Sequence, residues 1–403
     1  MQSNVLILTY WSYGDALIQT YTLPYVGIIR KHVAPANKIF LLTLEKKRWT
    51  ELESRQVRQE LQEQGIEWIQ GRYHPFGIRA TAGWLVLLAR LLTCIFRKNI
   101  GMIHCWGTPA GVAGTVLSWA SRTRLTIDSY EPHAEAMVEN GTWKRESLAF
   151  RLLFAFEKYQ TRRADYLIAA NAGMREYTLE KYGEKVNNML VKPACIDLDL
   201  FGVLKIKDAG LLNSLNLTDK IVCVYAGKFG GIYLDKEVFD FLKEAHTRWS
   251  DRFRVLLLTS HREEEINAYC LAAGLDPSII IMRFVPHKEI PRYIGLGDFA
   301  LTPVKPVPTK RFCTPIKDGE YWAMGLPVII PHDISDDSEI VRSNGIGAVL
   351  DKLDQVAYHR ALDTIDNLLS QPRAPLRERI RSIASTYRNF SIAERVYGEI
   401  YGR

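Results

Sequence analysis

The segment Thr314-Pro315-Ile316-Lys317-Asp318-Gly319-Glu320-Tyr321-Trp322-Ala323-Met324-Gly325-Leu326-Pro327-Val328-Ile329 concentrates residues that can handle a phosphorylated ligand. Lys317 and Glu320 are three apart, which a helix places on one face. Pro315 suits a first helical turn, Gly325 a helix end and Pro327 the start of a strand. The N–H groups of a helix N-terminus attract phosphate, and a lysine beside them adds a full positive charge. A glutamate one turn later can accept two hydrogen bonds from a ribose diol. The plainer alternative is a surface Lys–Glu pair on a helix–strand connection. Upstream, Gly227-Lys228-Phe229-Gly230-Gly231 follows an apolar run, and glycines let backbone N–H groups approach an anion closely. A structural turn accounts for the same five residues. In the first half, Tyr13-Gly14-Asp15 follows one apolar run and Asp128-Ser129-Tyr130-Glu131-Pro132-His133-Ala134-Glu135 another. Asp15 can meet a ligand or cap a helix. Asp128, Glu131 and His133 either face a binding crevice or mark a helix start whose acids favour the dipole.

The 314–329 segment resembles the nucleotide-sugar-binding segment of GT-B glycosyltransferases, especially family 4, with some ten positions of a pattern S/T-P-x-K-x-x-E-Y-x-A-x-G-x-P-V-I in register. The resemblance implies that Thr314 belongs to the donor site, that Lys317 contacts the donor phosphates and that Glu320 contacts the ribose. It also implies that Gly227 and Lys228 sit against the diphosphate, with Lys228 aiding departure of that group. Arg283-Phe284-Val285-Pro286-His287 is similar to the loop that brackets the nucleobase, placing Pro286 and His287 there, and Gly345-Ile346-Gly347 to a late glycine turn. The run Tyr10–Asp15, with Gln19 and Leu23-Pro24-Tyr25, is similar to the N-terminal segment of bacterial polysaccharide glycosyltransferases, so Gly14 and Asp15 are expected at the donor or acceptor sugar. Those relatives more often carry a glycine pair; only Gly14 is present here. By the same resemblance Asp128, Glu131 and His133 meet the acceptor and the reacting centre. His104, in Ile103-His104-Cys105-Trp106-Gly107, matches a family strand end or is a packed core histidine. The chain departs from the family at Phe312, eight positions before Glu320, where many members have a second acid; the stretch before it, Lys305 to Arg311, is basic and proline-rich. The departure leaves the sugar open, a charged one included.

These residues need elements to hold them. Val5–Thr9, Ile39–Leu44, Ile66–Ile69, Met102–Cys105, Leu125–Asp128 and Tyr166–Ala170 read as short buried strands. Between them Ala16–Lys31, Lys46–Gln64, Thr81–Phe96, Ala110–Trp119 and Glu146–Ala164 read as helices, a βα alternation that makes a parallel sheet. The alternation breaks at Lys192-Pro193 and resumes with Ile221–Tyr225, Phe253–Thr259, Ile279–Arg283, Phe299–Thr302 and Pro327–Ile330. The expected architecture is α/β, two Rossmann-like domains facing a cleft. Residues 1–192 form an acceptor domain, 193–218 a linker, 219–383 a nucleotide-sugar domain, and 384–403 a terminal helix free to cross back to the first domain. Neither domain opens with G-x-G-x-x-G, which disfavours a dinucleotide dehydrogenase.

The 403 residues hold 52 Lys/Arg and 45 Asp/Glu, and the excess lies in residues 1–200, with 25 against 19. That is too weak and too scattered for nucleic acid. It suits an anionic ligand, or peripheral contact with an anionic membrane through the Trp84-to-Lys98 helix, which a buried helix of the sheet explains as well. The six cysteines have no disulfide or metal spacing, and Met1–Tyr10 lacks a secretory leader, so a cytoplasmic location is expected, peripheral on the inner face of the membrane. The overall expectation is a retaining, metal-independent glycosyltransferase needing no cofactor. It moves a sugar from a UDP- or GDP-linked donor to a glycan or lipid-linked glycan in cell-surface polysaccharide synthesis. An epimerase of the same fold and a catalytically silent sugar-binding scaffold are the alternatives.

Overall fold

The computed structural model describes residues 3–74, 78–202 and 206–402. The apolar runs of the first half form a seven-stranded parallel sheet from β1 (Asn4–Leu8), β2 (Ile39–Glu45), β3 (Ile66–Arg72), β4 (Ile100–Trp106), β5 (Arg124–Tyr130), β6 (Tyr166–Ala169) and β7 (Met189–Val191), in the order β3-β2-β1-β4-β5-β6-β7. Every residue of β2 is buried, as a parallel strand covered by helices on both faces must be. The second half forms a six-stranded parallel sheet from β8 (Ile221–Ala226), β9 (Phe253–Leu258), β10 (Ile280–Arg283), β11 (Phe299–Leu301), β12 (Val328–Pro331) and β13 (Gly347–Leu350), in the order β10-β9-β8-β11-β12-β13. In each sheet the chain reverses its direction of travel beside the first strand, between β1 and β4 and between β8 and β11. In doubly wound sheets ligands bind beyond the strand C-termini at that switch point.

Two compact units result, one of 1–192 with 391–403, the other of 193–390. The stretch read as a linker, 193–218, is part of the second unit: Ile196, Phe201, Leu215 and Leu217 are buried in its core, and Asp208 caps a short helix, Ala209–Ser214. Its polar residues are the solvated side of packed structure. The terminal helix expected over 384–403 is two helices, Arg373–Tyr387 and Phe390–Tyr401. The break falls where the Arg388 carbonyl accepts from Ile196 N–H at 2.7 Å and the Arg388 guanidinium pairs with Asp337, holding that residue in the second unit. The last helix groups with the first unit. Strands β7 and β13 are absent from the sequence reading: β7 abuts the Lys192-Pro193 break and β13 opens on Gly347 of the glycine turn. Gly345-Ile346-Gly347 is where a helix stops and β13 starts. Gly345 caps the helix at φ +57°, and a Cβ on Gly347 would lie 2.0 Å from the Val328 carbonyl oxygen of the neighbouring strand.

Candidate functional site

In the second unit the residues singled out by type and spacing converge at the switch point. Beyond β8, Gly227 N–H donates to Leu258 O at 3.0 Å, and a Cβ on Gly227 would meet the Tyr225 hydroxyl at 2.5 Å. That hydroxyl donates to the Lys228 carbonyl at 2.6 Å. Phe229 N–H donates to His261 Nε2 at 2.9 Å, and the Phe229 ring is buried against Tyr225 and Phe239. Lys228 is thus fixed through the backbone on both sides while its own side chain stays exposed. His261 is oriented in turn by Glu265, whose Oε2 lies 2.9 Å from Nδ1. The His261 contact, then the Arg262 N–H, hold the Glu265 carboxyl down at about 2. Since Nε2 accepts from a backbone N–H, the ring is the Nδ1–H tautomer.

The helix Ile316–Ala323 begins after Pro315 with no side-chain cap on its first turn. Lys317 Nζ meets Glu320 Oε2 at 2.7 Å, with Lys317 30% and Glu320 3% exposed. This is therefore no pair of surface charges: the carboxylate is buried, and Lys317 is its partner. The next residue faces the other way, since Tyr321 Oη accepts Ala226 N–H at 3.0 Å and locks the helix to the end of β8. Below the first turn, Asp318 is buried and accepts from Thr302; burial and the adjacent Asp337 push its carboxyl well above the usual range. Asp337 is paired with Arg388. Thr314 Oγ1 lies 3.2 Å from Ser335 Oγ. In the loop after β10, Pro286 is exposed and His287 half-buried; burial lowers the His287 imidazole, and both Glu320 and Lys317 act on it electrostatically. Gly227, Lys228, Pro286, His287, Thr314 and Lys317 lie in loops or first turns beyond the strands of one sheet, and Glu320 lies one turn after Lys317.

The first unit corrects one assignment. Asp128, a candidate for the reacting centre, is fully buried: its Oδ2 accepts from Tyr397 Oη at 2.6 Å, Lys192 Nζ is 3.3 Å from Oδ1, and His104 Nε2 is 3.4 Å away. Burial alone would raise its carboxyl, but Lys192, His104 and Tyr397 together hold it at about 2. A carboxylate enclosed in this way cannot touch a substrate. Its place at the end of β5 reflects anchoring of the last helix. His104 is a core residue, its Nδ1 2.7 Å from the Tyr401 hydroxyl. Glu131 and His133 are about one-third exposed, with His133 Nδ1 3.6 Å from Glu131 Oε1. Beneath them lies Glu157, which accepts from Ala134 N–H at 2.8 Å and Tyr182 Oη at 2.9 Å; burial pushes its carboxyl up to about 7. Gly14 is exposed, and Asp15 accepts from Ser12 N–H at 3.1 Å and pairs with Lys46 at 3.3 Å. Asp15 thus folds its own loop and does not cap the next helix.

The residue that holds this loop in place escaped the sequence reading. Glu45, at the end of β2, accepts from Ser12 Oγ at 2.6 Å, Tyr13 N–H at 3.1 Å and Trp49 Nε1 at 2.7 Å. Glu45 and His261 share one signal, a charged or titratable residue at or just past the C-terminus of an apolar strand. The Asp197-Leu198-Asp199 segment has Asp-x-Asp spacing and is a turn in which Asp197 Oδ1 accepts from the Asp199 and Leu200 N–H groups. Among the described residues no group of three or more His, Cys, Asp or Glu is placed to hold a metal, and no helix is long and apolar enough to cross a membrane.

The chain matches no family model and no curated relative in sequence. Its fold is shared with solved structures over nearly the whole chain. Anabaena HepE in complex with UDP is 14% identical, with 98% of this chain and 99% of that one covered and a TM-score of 0.70. Sucrose-phosphate synthase from Thermosynechococcus elongatus is 14% identical over 99% and 98% of the two chains, TM-score 0.70. WaaG, a glycosyltransferase involved in lipopolysaccharide biosynthesis, is 13% identical over 99% and 100%, TM-score 0.71. The fold is GT-B.

Proposed function

We propose that this chain is a nucleotide-sugar-dependent glycosyltransferase whose second unit binds the donor. The observation that carries the reading is the Lys317–Glu320 pair on an uncapped helix start, beside the Lys228 loop and His287 at the switch point of the sheet. Glu320 exchanges its lysine partner for the ribose diol, and Lys317 is released to the diphosphate. In the transfer the anomeric C–O bond to the diphosphate breaks and a bond to an acceptor hydroxyl oxygen forms, while that hydroxyl loses its proton. Negative charge grows on the leaving diphosphate, so Lys228, Lys317 and the helix N–H groups stabilise the transition state more than the ground state. Thr314 supports the first turn, and Pro286 and His287 border the base. In the first unit Glu131 and His133 are the acceptor-side candidates, and Gly14 and Asp15 line a sugar. A UDP-linked donor is favoured over GDP because HepE is solved with UDP and with UDP-glucose. A glycan or lipid-linked glycan acceptor, retention of configuration and catalysis without a metal or cofactor complete the reading.

The test is a thermal-shift series with UDP, GDP, ADP, CMP and UDP- and GDP-sugars on the wild type and a Lys317→Ala, Glu320→Ala double variant. A nucleotide at 100 times its Kd adds about 2.7 kcal/mol of stability. One nucleotide should stabilise the wild type and not the variant. No shift with any nucleotide would discard the donor site and leave a silent scaffold.

Peripheral membrane contact belongs to the same proposal. Leu85, Val86 and Phe96 on the helix Ile78–Arg97, and Trp119 on the helix Gly107–Ser121, are 64–70% exposed. Residues 78–98 and 107–124 hold six Arg/Lys and no Asp or Glu. Such a face suits an anionic lipid surface. Co-sedimentation with phosphatidylglycerol vesicles, lost in a Phe96→Ser, Trp119→Ser variant and absent with phosphatidylcholine, is the expected result.

A further inference from the structure

Two lysines lie less than 9% exposed among the described residues, Lys192 and Lys310. Lys192 has the Asp128 carboxylate at 3.3 Å. Lys310 is 7% exposed overall, yet its Nζ is not among the buried atoms without a partner, so the stem is packed and the nitrogen reaches solvent. A lysine whose stem is buried and whose charge has no protein partner presents that charge at a fixed place, where an anionic ligand can meet it.

The backbone around Lys310 holds it firmly. It sits in a one-turn helix, Pro308–Phe312, that follows Pro306. Its N–H donates to Val307 O at 2.9 Å, and its carbonyl accepts Ser335 N–H at 2.9 Å. Ser335 is also the partner of Thr314, just before the Lys317 helix. On the other side, Lys305 N–H donates to Ile232 O at 3.1 Å and Leu234 N–H to Pro303 O at 2.7 Å, stitching this segment to the end of the Gly227–Gly231 loop. Lys310 also acts electrostatically on Tyr233. It therefore lies between the two phosphate-handling pieces of the candidate donor site. Two residues on stands Phe312, half-buried and neutral, where the resembling family often has an acid facing the sugar.

We infer that Lys310 is a specificity residue that pairs with an anionic group on the transferred sugar, so that the donor carries a uronate. A carboxylate at the family's position would repel such a sugar; Phe312 removes that repulsion and Lys310 supplies the attraction. The inference rests on the donor-site reading above. A second source of the same chemistry is the donor diphosphate itself, and the experiment separates the two.

Isothermal titration is run with UDP, UDP-glucose, UDP-glucuronate and UDP-galacturonate on the full chain, wild type, Lys310→Met and Lys310→Arg. Methionine keeps the buried stem without the charge, and melting temperature reports folding of each variant. The expected result is a wild type that binds a UDP-uronate at least tenfold more tightly than UDP-glucose. Lys310→Met should remove that preference with UDP affinity held within twofold, and Lys310→Arg should keep it in part. Equal or tighter binding of UDP-glucose by the wild type overturns the inference. So does Lys310→Met weakening UDP as much as the uronate, which assigns Lys310 to the diphosphate. Absence of binding by every nucleotide, uronates included, overturns the donor-site reading and this inference with it.

Discussion

Each unit sets a lysine against a carboxylate near the C-terminal edge of its sheet, and the two pairs differ in how fully they are satisfied. Lys192–Asp128 is 1% and 0% exposed, and Asp128 also takes the Tyr397 hydroxyl and lies beside His104. Lys317–Glu320 is 30% and 3% exposed, and its carboxylate has the lysine as partner. A saturated, sealed carboxylate fastens structure together. A buried carboxylate whose one lysine partner is itself partly exposed can exchange that partner for a ligand. Sequence alone makes both look like candidates, since each is an acid following an apolar strand or opening a helix.

That contrast predicts a large folding defect on one side and a binding defect on the other. Asp128→Ala leaves Lys192 buried without its charge partner, a change of about 3–5 kcal/mol. Urea unfolding of the variant should show it, and a loss under 1 kcal/mol would mean Asp128 is not the fastening described. Glu157 gives an effect nearly as large that depends on pH. Its folded carboxyl titrates at about 7 against a usual 4.5, so the folded state holds its proton more tightly than the unfolded one. The associated stability is complete below pH 4.5 and is lost as pH rises through 7, amounting to about 3 kcal/mol. Glu157→Gln, which cannot ionise, should gain on the wild type by that amount between pH 4.5 and 7 and hold level above. Parallel melting curves at every pH would remove Glu157 as the titrating group.

Lys317→Ala should cost about 1–3 kcal/mol of stability, since truncating the partly exposed lysine lets water reach Glu320, while donor affinity falls tenfold or more. Titration calorimetry beside unfolding curves measures both, and the reverse ranking would make this pair a fastening like the other. The smallest expected effect is at His261. His261→Ala frees Phe229 N–H and loosens the Lys228 loop, raising donor KM about threefold to tenfold, and His261→Gln, whose carbonyl can accept the same N–H, should recover most of it. A kcat change with KM fixed would contradict a positioning role.

The strands that carry the site were readable because parallel sheets buried on both faces demand continuous apolar runs, as in Ile39–Leu44 and Ile221–Tyr225. The helix bearing Lys317 and Glu320 was readable because proline and glycine punctuate its two ends. Strand β7, Met189–Val191, escapes the sequence reading because it runs directly into the Lys192-Pro193 break, where the alternation ends. The 193–218 segment misled because its four core residues are dispersed among polar ones. Asp128 misled for a different reason: its partners Lys192 and Tyr397 lie 64 and 269 residues away in the chain, and no local spacing reports whether an acid is already satisfied. His261 and Lys310 share that limitation in reverse, one defined by a backbone N–H it accepts and the other by a partner it lacks.

The Phe390–Tyr401 helix sets an order of events during synthesis. Tyr397 and Tyr401 supply the first unit's contacts to Asp128 and His104, yet they follow the whole second unit in the chain. All of the second unit, 193–390, leaves the ribosome before the first unit can close its core around that carboxylate. The second unit can mature as it emerges, whereas the first waits for residues 391–403 with Lys192 and Asp128 unsealed. A stop codon before Ser391 would leave the N-terminal half unfinished and the later-made half intact.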